Sequence, residues 1–496
     1  MCKARLGSSR SLALVMVLTL TLLIALSIPT PVSAATLRVR PSGGPGYFTT
    51  IQAAVNAANA NDVILVYPGT YGPVELSAMA TPGNISVIAV DSSGNPTPGT
   101  VTVNGGGSSA FAWSLLPHLG GVTIDGFVVT SPMSYGVYIP SAQGDVVVRN
   151  VTADGTGKTG IYVSIAAPSN ADVTVEGCRA NSGFGGIAAH AFGGDALVEN
   201  STANGTATTG ISAGSYGANV TVRNCTANNN SGPGSGYGIM IPSMNAKPVV
   251  GNCTANNNAL IGISVASDTA SITGCIARGN GQFGIAHSPI RLTSTWVNGN
   301  IICDNSSAGL FVQDPATGGI VADAEGNWWG CSGGPGSPGC DTVQGSGVTI
   351  DFTPWISAYT ADATPGSGVT GQPVQISFQF SDSGGTMFLP KGPGDLNGSP
   401  TFTLHTDNGT LTDSDETGAT VHEFIGSGDV LSVTLVPDAA GTATVTVDGP
   451  CELAAAITID VSQAEEFVPE PGSVILLASG LMGLAGYASL RWRSKD

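Results

Sequence analysis

The sequence predicts an all-β chain, in which a right-handed parallel β-helix is followed by a small β-sandwich. Three observations carry this. A repeat of about 25 residues runs through the middle of the chain, apolar residues inside each repeat alternate with the period of strands, and charge is sparse. Charged residues make up 10% of the 496, against roughly 25% in an ordinary soluble domain, which argues against helical bundles and coiled coils with their charged outer faces.

The repeat is legible in two ways. Val220–Asn228 and Val249–Asn256 are nearly identical, with weaker copies at Val173–Asn181, Leu197–Asn204 and Ile272–Asn280. A Gly-aliphatic-x-aliphatic element also recurs, its glycine at 136, 160, 186, 210, 238, 262, 284 and 309, at spacings of 22 to 28. Val220 and Val222 alternate with Thr221, as on a strand with one buried face. Cys225 and Ala227 alternate in the opposite phase, so the chain turns at Arg223-Asn224. Asn150, Asn200, Asn224 and Asn252 hold this corner, with Gly177 and Gly274 in other coils; both residue types tolerate the left-handed backbone. Each coil therefore reads as three short strands stacked on the next coil at about 4.8 Å. Inward positions form ladders, one of them Val151, Cys178, Ser201, Cys225, Cys253, Cys275 and Cys303, while Arg149, Glu176, Glu199 and Arg223 form an outward column suited to charge pairing.

A solenoid needs caps. Thr49–Ala60 has helical spacing, with Ile51, Val55 and Ala58 on one face, and Asp62–Tyr67 behind it alternates into Pro68-Gly69-Thr70-Tyr71. This Thr50-Ile-Gln-Ala-Ala-Val-Asn-Ala-Ala58 entrance, with Asp62 to Pro68-Gly69-Thr70-Tyr71, resembles that of pectate-lyase-like β-helix proteins, and the resemblance covers residues 36–358. The far end, Glu325-Gly-Asn-Trp-Trp-Gly330 to Val348-Thr-Ile-Asp-Phe-Thr-Pro-Trp-Ile356, resembles the final coils of β-helix repeat proteins. There Trp328, Trp329 and Trp355 read as a hydrophobic plug rather than a sugar platform.

Beyond Thr360 the repeat stops. Val374–Phe380, Thr401–His405, Val430–Val436 and Ala443–Val447 alternate between Gly/Asp/Asn turns, the pattern of an immunoglobulin-like sandwich. Its single basic residue is Lys391.

The ends read as addresses. Lys3, Arg5 and Arg10, an apolar run from Leu12 to Ile28 and small residues at Val32 and Ala34 make a secretory signal peptide of residues 1–34. Val468-Pro469-Glu470-Pro471, an apolar stretch from Val474 to Leu490 and Arg491-Trp492-Arg493 resemble the PEP-CTERM sorting signal of Gram-negative bacteria. That resemblance implies recognition by an exosortase and release to the cell envelope or matrix. The predicted organisation is a signal peptide (1–34), β-helix with cap (35–358), sandwich (359–462), linker with sorting motif (463–473), and transmembrane helix with basic tail (474–496).

The chain carries 16 basic and 34 acidic residues, and such a surface repels phosphate backbones, so nucleic acid is excluded as a partner. The expected partners are signal peptidase and exosortase during processing, the membrane through the C-terminal helix before it, and polysaccharide or surface proteins afterwards. Cys331 and Cys340 bracket a flexible loop and are expected to form a disulfide; the ladder cysteines read as small buried apolar residues, and Cys451 has no evident partner.

In β-helix enzymes of the resembled family the first strand of each coil lines the substrate groove. Its outward column here reads Tyr138, Tyr162, Ala188, Ser212, Met240, Ser264, Ala286 and Phe311, without an acid, whereas glycoside hydrolysis needs paired carboxylates. The acids lie in turns, as Asp172, Asp195, Asp268, Asp314 and Asp323; Ca²⁺ is an open option for them and no other cofactor is expected. Asp413-Ser-Asp415-Glu416 resembles a cation loop only weakly. The preferred function is therefore a non-catalytic surface adhesin or exopolysaccharide scaffold; Tyr138 and Tyr162, on adjacent coils, read as packing against a long turn in preference to a weak sugar-binding face. The alternative is a polysaccharide lyase or glycoside hydrolase built from Asp172, Arg179, His190 and Asp195.

Overall fold

The computed structural model describes residues 34–464 and 471–493, apart from 77–82, 114–119, 131, 166, 168, 233, 244, 289–292, 315–318, 385–400, 414–415 and 425–429. The expected signal peptide, up to residue 33, and Val468-Pro469-Glu470 lie outside the described residues, as do Lys391 and Asp415. Two compact units are present, divided near residues 357 and 358.

The first unit is a parallel β-helix with three faces. Among the described residues one face is a fourteen-stranded sheet running from Tyr47–Phe48 to Thr349–Asp351, and a second is an eleven-stranded sheet from Val74–Glu75 to Val343–Ser346. Successive coils pair in parallel and in register, as in Val220↔Pro248 and Val222↔Val250. Alternation makes the core: Val146 and Val148, Val173 and Val175, and Val220 and Val222 point inward and are buried. At the predicted corner, Asn150, Asn200, Asn224 and Asn252 have φ of 51–54°, and Gly177 and Gly274 have 61° and 64°. The third face is thinner than expected. Between Val128 and Ile276 it consists of single bridges, such as Thr202↔Thr226 and Thr226↔Thr254, flanked by left-handed residues on both sides, Asn224 and Asn229 in one coil.

A helix, Ile51–Ala57, begins at Thr50, whose hydroxyl accepts from the Ala53 N–H, and buries Ile51, Ala54 and Val55 over the first coils. At the far end Trp328 and Trp329 are buried, and Gly334 lies under the ring of Trp355 so closely that a Cβ would stand 2.5 Å from it. Cys331 and Cys340 are joined as a disulfide, with Cα atoms 5.1 Å apart.

The inward cysteine ladder differs from expectation at its last rung. Ile276↔Ile301 and Arg278↔Cys303 are in register, so Asn300, not Cys303, stands above Cys275. Its side chain accepts from the Cys275 N–H at 2.9 Å. Cys303 occupies the rung of Arg278 and is disulfide-bonded, while Cys178, Cys225, Cys253 and Cys275 are buried free thiols.

A further buried ladder lies five residues past Cys225, Cys253, Cys275 and Asn300. Asn230 Nδ2 donates to Asn258 Oδ1 (2.8 Å), Asn258 to Asn280 (3.1 Å), Asn280 to Asn305 (2.9 Å) and Asn305 to Asp341 Oδ2 (2.7 Å). Each acceptor oxygen also takes the preceding rung's backbone N–H. This ladder explains the signature glycines of the later coils: a Cβ on Gly262 would stand 2.7 Å from Asn280 Nδ2, and on Gly284 2.6 Å from Asn305 Nδ2, whereas Gly136, Gly160 and Gly186 face the Cβ atoms of Ala153, Ala180 and Ala203.

Among the described residues the second unit holds two five-stranded sheets. One contains Val374–Asp382, Val430–Val436 and Thr410–Thr412; the other contains Thr401–Thr406, Thr420–Phe424, Gly441–Asp448 and Ala454–Ser462. Ile376, Phe378, Phe402, Leu404, Leu431, Val433, Val445 and Val447 are buried in it. Cys451 is buried and disulfide-bonded.

Pro471–Arg493 forms a helix, with Leu476, Leu477, Leu481, Met482, Leu484 and Tyr487 exposed. The expected transmembrane span is not shown: among the described residues no helix is long and apolar enough to cross a membrane. The apolar run has seventeen residues, which at the helical rise reaches about 25 Å, short of the ~30 Å hydrocarbon core. Ser479, Gly480, Gly483, Gly486 and Ser489 dilute it further.

Candidate functional site

The eleven-stranded sheet carries the candidate site on its outer face. Its column of outward residues extends upstream of Tyr138, since Val137↔Phe111 and Tyr138↔Ala112 are paired, as are Val74↔Phe111 and Glu75↔Ala112. The column therefore begins Glu75, Ala112, Tyr138, Tyr162, and it does contain an acid. The first two coils lack the Gly-aliphatic-x-aliphatic element, which is why the sequence pattern starts one acid too late.

Ala112 is the small floor between Glu75 and Tyr138, and a cleft of about 580 Å³ opens over it, within the ~300–1,000 Å³ range of small-ligand sites. Glu75 and Gln52 stand on one side, and Tyr135, Tyr138 and Lys158 on the other. The Gln52 side chain is fixed by the Glu75 backbone, accepting from its N–H at 2.7 Å and donating to its carbonyl at 3.2 Å. Tyr135 and Tyr138 are stacked with centroids 4.3 Å apart, and Tyr162 lies 5.6 Å from Tyr138. Burial, with the neighbouring Tyr138 and Tyr135 phenols, holds the Tyr162 hydroxyl above its ordinary pKa. Lys158 Nζ sits 5.3 Å from the Tyr135 centroid, a cation over a ring face. The cleft thus offers flat apolar platforms, one ammonium and one carboxylate.

The four residues of the catalytic alternative are not brought together. Asp172 and Asp195 lie in the turn before the fourteen-stranded sheet, where they form a staircase. Asp172 N–H donates to Asp145 Oδ1 (3.0 Å), Asp195 N–H to Asp172 Oδ1 (2.8 Å) and Asn219 N–H to Asp195 Oδ1 (2.9 Å). Arg179 is on the third face and pairs with Asp154 at 2.6 Å. His190 is on the eleven-stranded sheet; its ring lies over Gly214 with Nε2 3.3 Å from Ser212 Oγ, and burial lowers its pKa. His287 is inside, between Thr295 Oγ1 and the Ser267 carbonyl at 2.7 Å each, and burial lowers its pKa to about 4. Among the described residues no group of three or more His, Cys, Asp or Glu could hold a metal ion. In the outward corner column Arg223 Nε donates to Glu199 at 2.6 Å.

Sequence reasoning found Tyr138 and Tyr162 but missed Glu75, Tyr135 and Lys158. Tyr135 and Lys158 lie in the turns entering the sheet, where no periodicity marks them.

Comparison with known families matches residues 118–245 to the right handed beta helix region and residues 467–493 to the PEP-CTERM protein-sorting motif. Comparison with curated proteins gives no match. Among solved structures the chain is similar to pectate lyase Pel9A (15% identity, 65% of this chain and 80% of that one, TM-score 0.34). It is also similar to the periplasmic alginate epimerase AlgG (11%, 64% and 84%, 0.30) and to tailspike protein 2 from Escherichia coli O157:H7 bacteriophage CAB120 (13%, 84% and 64%, 0.30). The repeat, its corners and both family matches make this chain a right-handed β-helix protein that carries a PEP-CTERM sorting motif.

Proposed function

We propose that the chain is an exported surface protein, sorted by an exosortase, that holds polysaccharide in the tyrosine cleft of its β-helix without cleaving it. The observation that carries this reading is the cleft itself: stacked Tyr135 and Tyr138 beside Lys158, with Glu75 as the carboxylate that lines it. One acid does not supply the pair that glycoside hydrolysis uses. Asp172 and Asp195 are engaged by backbone N–H groups of the next coil, which supports a structural role for them. Before processing, the apolar C-terminal helix associates transiently with the membrane, its exposed leucines supplying the contact.

A second reading, a polysaccharide lyase, draws on the same cleft, because Lys158 and the tyrosines are groups that could take a proton from a sugar ring. One experiment separates the two. Purified residues 36–466 are incubated with pectate, alginate, xylan and soluble cellulose derivatives, with Ca²⁺ and then with chelator, and polymer size and bound fraction are read together. The scaffold reading expects binding without shortening, lost in Tyr138→Ala. Shortened polymer, or unsaturated ends that disappear in Lys158→Met, would overturn it in favour of the lyase. Absence of binding to every polymer would sink both.

A further inference from the structure

Among the described residues three outward aromatic platforms occupy the same sheet, and two of them concern the proposal. The first is the Tyr135, Tyr138 and Tyr162 cluster. The second is Phe192 and Tyr216, on consecutive coils in register, with rings 5.2 Å apart and 6° from parallel. Both are solvent-facing, 36% and 47% exposed, although each belongs to a side-chain type that ordinarily buries its ring.

The ground between the platforms is low. Tyr162 pairs with Ala188, and outward positions then run Ala188, His190, Phe192 along the strand Gly185–Phe192. In the next coil Ser212 and Gly214 sit opposite Ala188 and His190. The absence of a side chain at Gly214 leaves room for the His190 imidazole, which is held by Ser212. Small side chains at Ala188, Ser212 and Gly214 thus keep the ground between the two platforms low. Four residues of strand and one rung separate Tyr162 from Phe192, a span of about 14 Å. That length takes several sugar units and exceeds a single one.

We propose that Phe192 and Tyr216 form a distal subsite for an extended polysaccharide strand, which is gripped at the tyrosine cleft and again at this pair, with His190 and Ser212 facing its hydroxyls between. The inference rests on the polysaccharide-binding reading and adds a directional consequence. The strand runs obliquely across the sheet, so the other outward pair, Phe283 and Phe311 (rings 4.8 Å apart), lies off its path.

The test uses oligogalacturonates and cello-oligosaccharides from dimer to decamer, titrated calorimetrically against the purified chain. In the wild type, affinity should rise by at least about tenfold once the oligomer is long enough to reach both platforms. Phe192→Ala and Tyr216→Ala should abolish that gain and leave short oligomers unaffected. Tyr138→Ala should weaken every length, and Phe311→Ala none. Both distal substitutions are at exposed rings, and unchanged thermal midpoints confirm that the fold is intact. Binding that is independent of length, or a Phe311→Ala loss equal to that of Tyr216→Ala, overturns the distal subsite and leaves the cleft standing. No binding at any length removes the polysaccharide reading and the subsite with it.

Discussion

Asp341 ends the buried asparagine ladder by accepting from Asn305 twice, from its side-chain amide at 2.7 Å and from its backbone N–H at 3.1 Å. The ladder is directional, because every amide donates toward the next coil, so the last rung needs a group that only accepts. A carboxylate meets that need, and burial, outweighing the two Asn305 hydrogen bonds, raises its pKa to about 6 from an ordinary 3.8.

A raised carboxyl pKa means that the folded chain binds the proton more tightly than the unfolded one. Stability from this group is therefore fully present below pH 3.8 and lost as pH rises through 6. The shift corresponds to up to about 3 kcal/mol. Urea midpoints measured from pH 4 to 7.5 should differ in slope between wild type and Asp341→Asn by this amount. Identical slopes would mean that Asp341 does not titrate in this window.

His287 opposes it. Its imidazole, enclosed by Thr295 and the Ser267 carbonyl with Asp268 nearby, has its pKa lowered to about 4 from 6.5. Stability from a depressed histidine is present above pH 6.5 and lost as pH falls toward 4, again by up to about 3 kcal/mol. The wild-type profile should be nearly flat between pH 4 and 6 from these two groups. His287→Asn should expose a decline with rising pH, and Asp341→Asn a decline with falling pH. A steep wild-type profile that neither substitution changes would remove this account.

Gly262→Ala places a methyl 2.7 Å from Asn280 Nδ2 and 2.6 Å from the Gly284 carbonyl. The ladder must shift, and a buried amide loses partners, at a cost of about 2–4 kcal/mol. Thermal unfolding should register this as a large drop, whereas an equal substitution at Gly217, where nothing lies within 4 Å, should cost only the strain of its positive φ.

Asp195→Ala removes one acceptor from an exposed turn and should cost about 0.5–1.5 kcal/mol, with polysaccharide binding intact. If binding disappears while the thermal midpoint holds, Asp195 belongs to a ligand site and its staircase role is secondary.

The fold was legible because its two strongest determinants repeat at fixed places. Asn224 marks the corner by tolerating φ of 53°, and Val220 and Val222 mark the buried face. The asparagine ladder was also written in the sequence, as Asn230, Asn258, Asn280 and Asn305, each five residues beyond Cys225, Cys253, Cys275 and Asn300. It goes unread when asparagine is treated as a turn residue. Cys303 was misplaced because Asn300 substitutes for cysteine on that rung, and only the register separates them. The site was less legible. Ala112 and Glu75 join the sheet through two-residue strands, too short for periodicity, and Tyr135 approaches Tyr138 only because the turn folds back.

The asparagine ladder has a mechanical side. Its bonds point along the solenoid axis, so a pull applied along that axis loads the rungs in series, and the weakest yields first. Each coil that lets go would pay out roughly 80 Å of chain while its neighbours stay wound. Between Asn230 and Asp341 the β-helix would then lengthen in steps, one coil at a time.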